Sequence, residues 1–423
     1  MSQRKVFDNT FDKPLLIDTD YVAFNVKCLT SVGLWNPYKN HQKWLYHVYT
    51  VIVAFFIPLM RVDGFIMAIW HLQQSFVQQT LMLVIISVFV VGVLKHMNVL
   101  WHHSDIAFVA TVFTWERSMV CSAEVAVYRE KVVTQTMKIM KKSTLIWLWL
   151  AIFDLPFLYR RNVDENNRSV EQLSISFTIF GHYLTKLNFF TVLSLDYVTV
   201  VLSAWSVITN DCMFLSLMLQ MKTQFQILNF RLKRCANQVQ DYGTADAPPN
   251  NFEGSDGTIH KRHVNTNEEL RICIQHYQKM FGLMRILNKV YGAVLLPQII
   301  SSVSLLTMMG VHVFMTQTVN FRDASDLIIL MLTFTSALME IGLYCLGGQT
   351  VMTESERTRA AVYDSEWYLQ DSEFKNNLVT FLGMAGRPFS LRAAGFFEMS
   401  LVTLKSILSK SYSATAVLQS SLA

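Results

Sequence analysis

Leu327-Ile328-Ile329-Leu330-Met331-Leu332 opens a window, 327 to 347, whose only charged residue is Glu340. A helix needs about 20 predominantly apolar residues to cross the hydrocarbon of a bilayer, and this window supplies them. A second window, 76 to 94, carries Leu81-Met82-Leu83-Val84-Ile85-Ile86 and meets no charge until Lys95. Further apolar windows lie at 44 to 60, 142 to 160, 189 to 210, 291 to 315 and 394 to 418, so seven membrane helices are expected. Composition agrees. The chain is 52% apolar and only 16% charged, where soluble domains are about 25% charged. The fold class these features predict is an all-α membrane protein with seven transmembrane helices.

Arg4 and Lys5 are followed by Asp8, Asp12, Lys13, Asp18 and Asp20, which leave no signal-peptide apolar core. The first membrane helix is therefore expected to act as the start signal. Orientation follows from the basic residues. Most of the 36 Lys and Arg fall in the N-terminal segment and in the loops after the second, fourth and sixth spans. The alternate loops hold only Arg61, Arg160, Arg161, Arg168, Lys186 and Arg322. Cytoplasmic loops are enriched in Lys and Arg, which places the N-terminus in the cytoplasm and the C-terminus outside. The sequon Asn167-Arg168-Ser169 lies in a loop this orientation makes external, where Asn167 can be glycosylated. Cys28, Cys121, Cys212, Cys235, Cys273 and Cys345 avoid the external loops, so no disulfide framework is expected. The pI of about 8.8 reflects basic residues spread between spans rather than a patch, and a nucleic-acid partner is not expected.

The expected organisation is a cytoplasmic segment over 1–43, with a short helix near Tyr21 to Cys28, and spans one to four over 44–218. Cytoplasmic helical extensions follow over 219–290, around a flexible loop at 241–265 that contains Pro248-Pro249. Phe225, Leu228 and Leu232, and then Leu270, Ile274, Tyr277 and Phe281, recur at helical spacing and need a partner, either a helical collar or the lipid surface. Spans five and six occupy 291–347, an anchor helix and linker 348–390, and the last span 391–423. No internal repeat is apparent, which argues against carriers built from duplicated halves.

Ionisable groups in hydrocarbon are functional candidates because their desolvation is costly. Asp154 and Asp196 either border an outward-facing pocket or sit solvated near headgroups; Glu340 is expected to pair with a base, with Lys405 at a matching depth. A pocket for small apolar molecules needs aromatic and flexible side chains in the outer halves of several helices. Phe76, Thr80, Trp149, Phe153, Phe157, Tyr197, Met331 and Phe334 are the candidates. Trp149, Phe153 and Phe157 share one helix face, which suits either packing or ligand contact. His102-His103-Ser104-Asp105 has no further ligands at matching spacing, and a zinc site needs three or four, so no metal is expected. No cofactor site or catalytic set is visible. A membrane hydrolase would gather His and Asp at one depth; a G-protein-coupled receptor would need the opposite orientation and external cysteines.

The C-terminal seventy residues are more specific. A polar helical stretch is expected to hold Glu354, Ser355, Tyr363, Ser365, Trp367 and Tyr368; Pro388 follows, then an apolar helix running to Ser411-Tyr412-Ser413 and Val417-Leu418, with Gly348, Gly395, Phe397, Leu408 and Lys410 also in place. From Cys345 to Leu418 this order resembles the C-terminal signature of insect odorant receptors, with weaker echoes at Gly33-Leu34-Trp35 and Lys95. The resemblance implies an odour-tuned subunit of a tetrameric cation channel in the plasma membrane of olfactory neurons, opened directly by a small volatile molecule and assembled with the shared odorant receptor coreceptor. It implies a pore lined by the last helix, a gate at Val417 and Leu418 with Ser420 and Ser421 beyond it, and subunit anchoring by Tyr363, Trp367 and Tyr368. Ala414 stands where the family usually has Tyr, and Ser421 is more polar than its pattern. Tyr412 and Gln419 do not have the spacing of the related gustatory receptors. Lys410, seven residues before Val417, shares its helix face and puts a cation beside the expected cation path.

Overall fold

The computed structural model describes residues 23–36, 42–53, 76–115, 123–160, 189–236, 255–318 and 324–422. Two short helices, α1 (Ala23–Ser31) and α2 (Gln42–Val51), precede α3 (Phe76–Trp101), α4 (His103–Trp115) and α5 (Ala123–Arg160). The long elements follow as α6 (Phe189–Cys235), α7 (Ser255–Thr318) and α8 (Ala324–Tyr363). A 3-10 turn, Trp367–Leu369, leads to α9 (Ser372–Met384), a hairpin of β1 (Arg392–Ala393) and β2 (Phe397–Glu398), and α10 (Leu401–Leu422).

With 47 and 64 residues, α6 and α7 are two to three times as long as the ~30 Å of hydrocarbon requires. α6 is the central strut, packed against α1, α5, α7 and α8; α7 in turn carries α3 and α10. Val90 and Leu94 on α3, Leu145 and Ile146 on α5, and Ile300 on α7 are exposed. Rows of exposed aliphatics on long helices suit contact with lipid tails, where internally hydrogen-bonded helices carry no unsatisfied backbone.

The helical extensions are covered by a collar. Phe225, Leu228, Leu232, Leu270 and Tyr277 are buried in one core with Phe374, Leu378 and Phe381 of α9. The Tyr277 ring meets Phe381 at 5.2 Å and Phe389 at 5.3 Å, and Phe225 meets Phe389 at 4.9 Å, all edge to face, a favoured aromatic geometry. α9 fits because Phe374, Leu378 and Phe381 recur at helical spacing, and because Asp371 caps it by accepting from Phe374 N at 2.8 Å. Of the two partners expected for these stripes, the helical collar is the one formed, and α9 and the segment bearing Phe389 supply much of it.

Several expected boundaries are corrected. The last helix begins at Leu401 rather than 394, because Ala394 (φ 48°) and Gly395 (φ 80°) take left-handed backbone and reverse the chain. Arg392 pairs with Glu398 and Ala393 with Phe397 in the hairpin this creates. The sixth span and the anchor helix form one element, α8, which ends at Tyr363 and leaves Ser365, Trp367 and Tyr368 in the following turn. α7 starts at Ser255, inside the stretch expected to be loop, since no proline after Pro249 stops helix from propagating there. The region after the second span is helical through α4 rather than a loop. The rest of the first expected span, 54–60, lies outside the described residues, as does the sequon at Asn167.

Candidate functional site

α10 touches the rest of the chain along one stripe. Ile407 and Ser411 are buried and Leu404, Thr415 and Leu418 half-buried, whereas Val402, Ser406, Ser409, Lys410, Ser413, Val417, Ser420 and Ser421 are exposed. The stripe is held to α7 by polar contacts to its backbone: Ser411 Oγ donates to Val303 O at 3.5 Å and Thr415 Oγ1 to Thr307 O at 3.2 Å. Close approach is possible because Gly310 has no side chain; a Cβ there would lie 2.7 Å from Thr415 Oγ1. The uncovered side carries five serines. An exposed polar face on a helix that crosses hydrocarbon must meet water or other protein.

The segment entering α10 is stitched to α7 and α8. Asn288 Nδ2 donates to Ser390 O at 3.1 Å, Asn288 Oδ1 accepts from Arg392 N at 2.8 Å, and Ala394 N donates to Gly292 O at 2.8 Å. Gln349 Oε1 accepts from Leu401 N at 3.2 Å. Gly348 admits this contact, since a Cβ on it would stand 2.2 Å from Met399 O. The Glu354-Ser355 pair has matching roles. Ser355 Oγ accepts from Phe389 N at 2.9 Å, and Glu354 takes Gln226 Nε2 at 3.2 Å while its carbonyl takes Asn229 Nδ2 at 3.0 Å. These residues join the collar to the last helix. Tyr363 and Tyr368 are exposed and Trp367 half-buried at the collar's edge.

The constellation missed by sequence reading joins α3, α6 and α8. Lys95 Nζ lies 2.8 Å from Asp211 Oδ1 and 2.6 Å from Glu340 Oε1, and the Tyr344 hydroxyl donates to the same Asp211 oxygen. Lys95 also stands 5.1 Å from the centroid of the Tyr344 ring. The partner of Glu340 is thus Lys95 and not Lys405, which is exposed on α10. A water-sized cavity adjoins the cluster, lined in part by Asn210 and Tyr291. The signal was present: one basic and two acidic residues sit at or near the same ends of three spans. Lys95 and Asp211 are not among the intramembrane candidates because each lies one position past an apolar window.

The helices carry the pocket candidates, but their side chains mostly lie outside the described ones. Phe76 and Thr80 are on α3, Trp149, Phe153 and Phe157 on α5, and Tyr197 and Asp196 on α6; Asp154 is on α5. Met331 and Phe334 on α8 are exposed. The His103 and Trp35 rings lie tilted against each other with centroids 4.1 Å apart, and burial lowers the His103 pKa below the usual imidazole value. Asp105 accepts from Lys289 at 3.0 Å. Tyr128, stacked on Phe230 at 4.1 Å, has its pKa raised by burial and by the Glu354 carboxylate, against Lys233. Among the described residues no group of three metal ligands forms.

The 7tm Odorant receptor family model matches residues 75–412. Putative odorant receptor 85d of Drosophila melanogaster is 25% identical over 152 residues, which cover 36% of each chain. Odorant receptor 63a of the same species is 28% identical over 175 residues, 41% of this chain and 38% of that one. The odorant receptor coreceptor of Harpegnathos saltator is 22% identical over 187 residues, 43% of this chain and 38% of its own. The chain therefore spans little more than a third of the length of the curated relatives it matches. The insect olfactory receptor OR5 from Machilis hrabei, in complex with eugenol, has the same fold at a TM-score of 0.74 and 16% identity, over 95% of this chain and 97% of that one.

Proposed function

We propose a function from one premise: this chain belongs to the 7tm odorant receptor family of seven-helix membrane proteins. It acts as an odour-tuned subunit of a ligand-gated cation channel, assembled with the odorant receptor coreceptor in the plasma membrane, N-terminus inside. Small, largely apolar volatiles bind among the outer halves of α3, α5, α6 and α8, and α10 lines the pore. The one-sided packing of α10 carries this reading. Its 22 residues are long enough to cross a bilayer, and its serine-bearing face is left for water and neighbouring subunits. Tyr363, Trp367 and Tyr368 face neighbouring subunits at the collar, a role that suits exposed aromatics.

Co-expression with the coreceptor should give an odour-evoked cation current that survives GDP analogues and G-protein removal. A current that appears only through G proteins rejects the channel reading. Val417, 67% exposed, is the gate on this reading, with Leu418 beside it. Val417→Ser should raise the basal leak severalfold in whole-cell recordings without odour; an unchanged closed state would put the gate elsewhere.

A further inference from the structure

α5 presents a lysine stripe that nothing in the chain covers. Its inner face is fixed to α6: Val133 packs on Ile227 and Thr136 Oγ1 lies 2.8 Å from Thr223 Oγ1. Opposite, Lys131, Lys138 and Lys142 stand at i, i+7 and i+11 on one line, with Lys141 beside them, and all four are exposed. Among the described residues none of the four has an ion-pair partner. Between Glu130 and Asp154 the sequence has no acidic residue, so the usual helical i,i+4 compensation is missing. Glu124, further back, is engaged by Arg234.

The stripe ends at the membrane. Three residues past Lys142 the side chains turn aliphatic, with Leu145 and Ile146 exposed and suited to lipid contact. Lys131 is 11 residues from Lys142, so the stripe reaches about 17 Å above the hydrocarbon boundary. Lys27 adds a charge from α1 near the same level, because Thr144 Oγ1 donates to Asn25 Oδ1 at 3.3 Å and Lys27 is exposed two residues on. Lysines clustered beside a span attract anionic headgroups.

We propose that this stripe is a binding site for an anionic phospholipid of the cytoplasmic leaflet, with a phosphoinositide as the occupant. Its ring phosphates stand above the glycerol level and reach Lys138 and Lys131 as well as Lys141 and Lys142, which a lipid with a single phosphate does not. The proposal rests on the cytoplasmic placement of the start of α5, while binding itself can be measured without it, because detergent leaves both faces open.

The purified full-length chain is titrated with short-chain phosphatidylinositol bisphosphate, with short-chain phosphatidylcholine and soluble inositol trisphosphate as comparison arms. The bisphosphate lipid should bind best, and the variant carrying Lys131→Gln, Lys138→Gln, Lys141→Gln and Lys142→Gln should bind it at least about tenfold more weakly. Arginine at all four positions should retain binding. Raising the salt to about 0.5 M should weaken the unsubstituted chain strongly, a readout that survives if the Gln variant fails to fold. Equal binding by the Gln variant, equal binding of phosphatidylcholine, inositol trisphosphate binding as tightly as the lipid, or indifference to salt each overturns the proposal.

Discussion

Replacing Lys95 by Met should destabilise the receptor by about 3–5 kcal/mol, the usual cost of removing one partner from a buried ion pair. Lys95 is 4% exposed and Asp211 9%, so the substitution leaves two carboxylates together, poorly solvated and without their cation. Each then loses its attraction and repels the other. The measurement is the thermal midpoint of the purified protein, followed by aggregation or by the fluorescent elution peak. Asp211→Asn and Glu340→Gln added to Lys95→Met remove the stranded charges and should recover much of the loss. If Lys95→Met melts with the unsubstituted protein, or the triple variant is no better than the single, the cluster does not hold α3, α6 and α8 together by charge.

Gly348→Val should be the most damaging substitution at the entry to α10. Its Cβ would overlap Met399 O, a backbone atom that moves only if the whole hairpin moves. Overpacking costs typically about 1–3 kcal/mol, and here it displaces the element that aims the last helix. Odour-evoked current should fall to background, with a lower thermal midpoint. Gly342 lies on the same helix with nothing within 4 Å of its Cβ position. Gly342→Ala should therefore be neutral or stabilise by about 0.5–1 kcal/mol through backbone entropy. A Gly348→Val protein with normal current would mean that the hairpin does not position α10.

The contrast between these glycines explains where sequence reading stopped. Gly347-Gly348 looked like a place for a span to end and a separate helix to begin. In the fold α8 runs through both, and their missing side chains serve close approach by Phe214 and Met399. Intrinsic preference disfavours glycine within a helix, and packing outweighed it. The collar was better marked. Leu228, Leu232, Leu270 and Tyr277 showed a buried stripe by spacing alone, but their cover came from α9 and Phe389, which lie about a hundred residues further on from Tyr277 and further still from α6. The ligand-pocket candidates named by depth and aromatic content remain a proposal resting on the family reading.

The helical membrane class and the family were legible in the chain alone, because apolar run length and the residue order of the tail are local properties. Which distant groups meet was settled by packing. Packing joined Lys95 to Asp211 and Glu340, set the start of α10 behind a hairpin, and turned one side of that helix, Ser411 included, onto α7 while leaving its other serines uncovered. Coulombic pairing in a poorly solvated interior and steric fit at a glycine both depend on separations of a few ångströms, and linear order carries no measure of those.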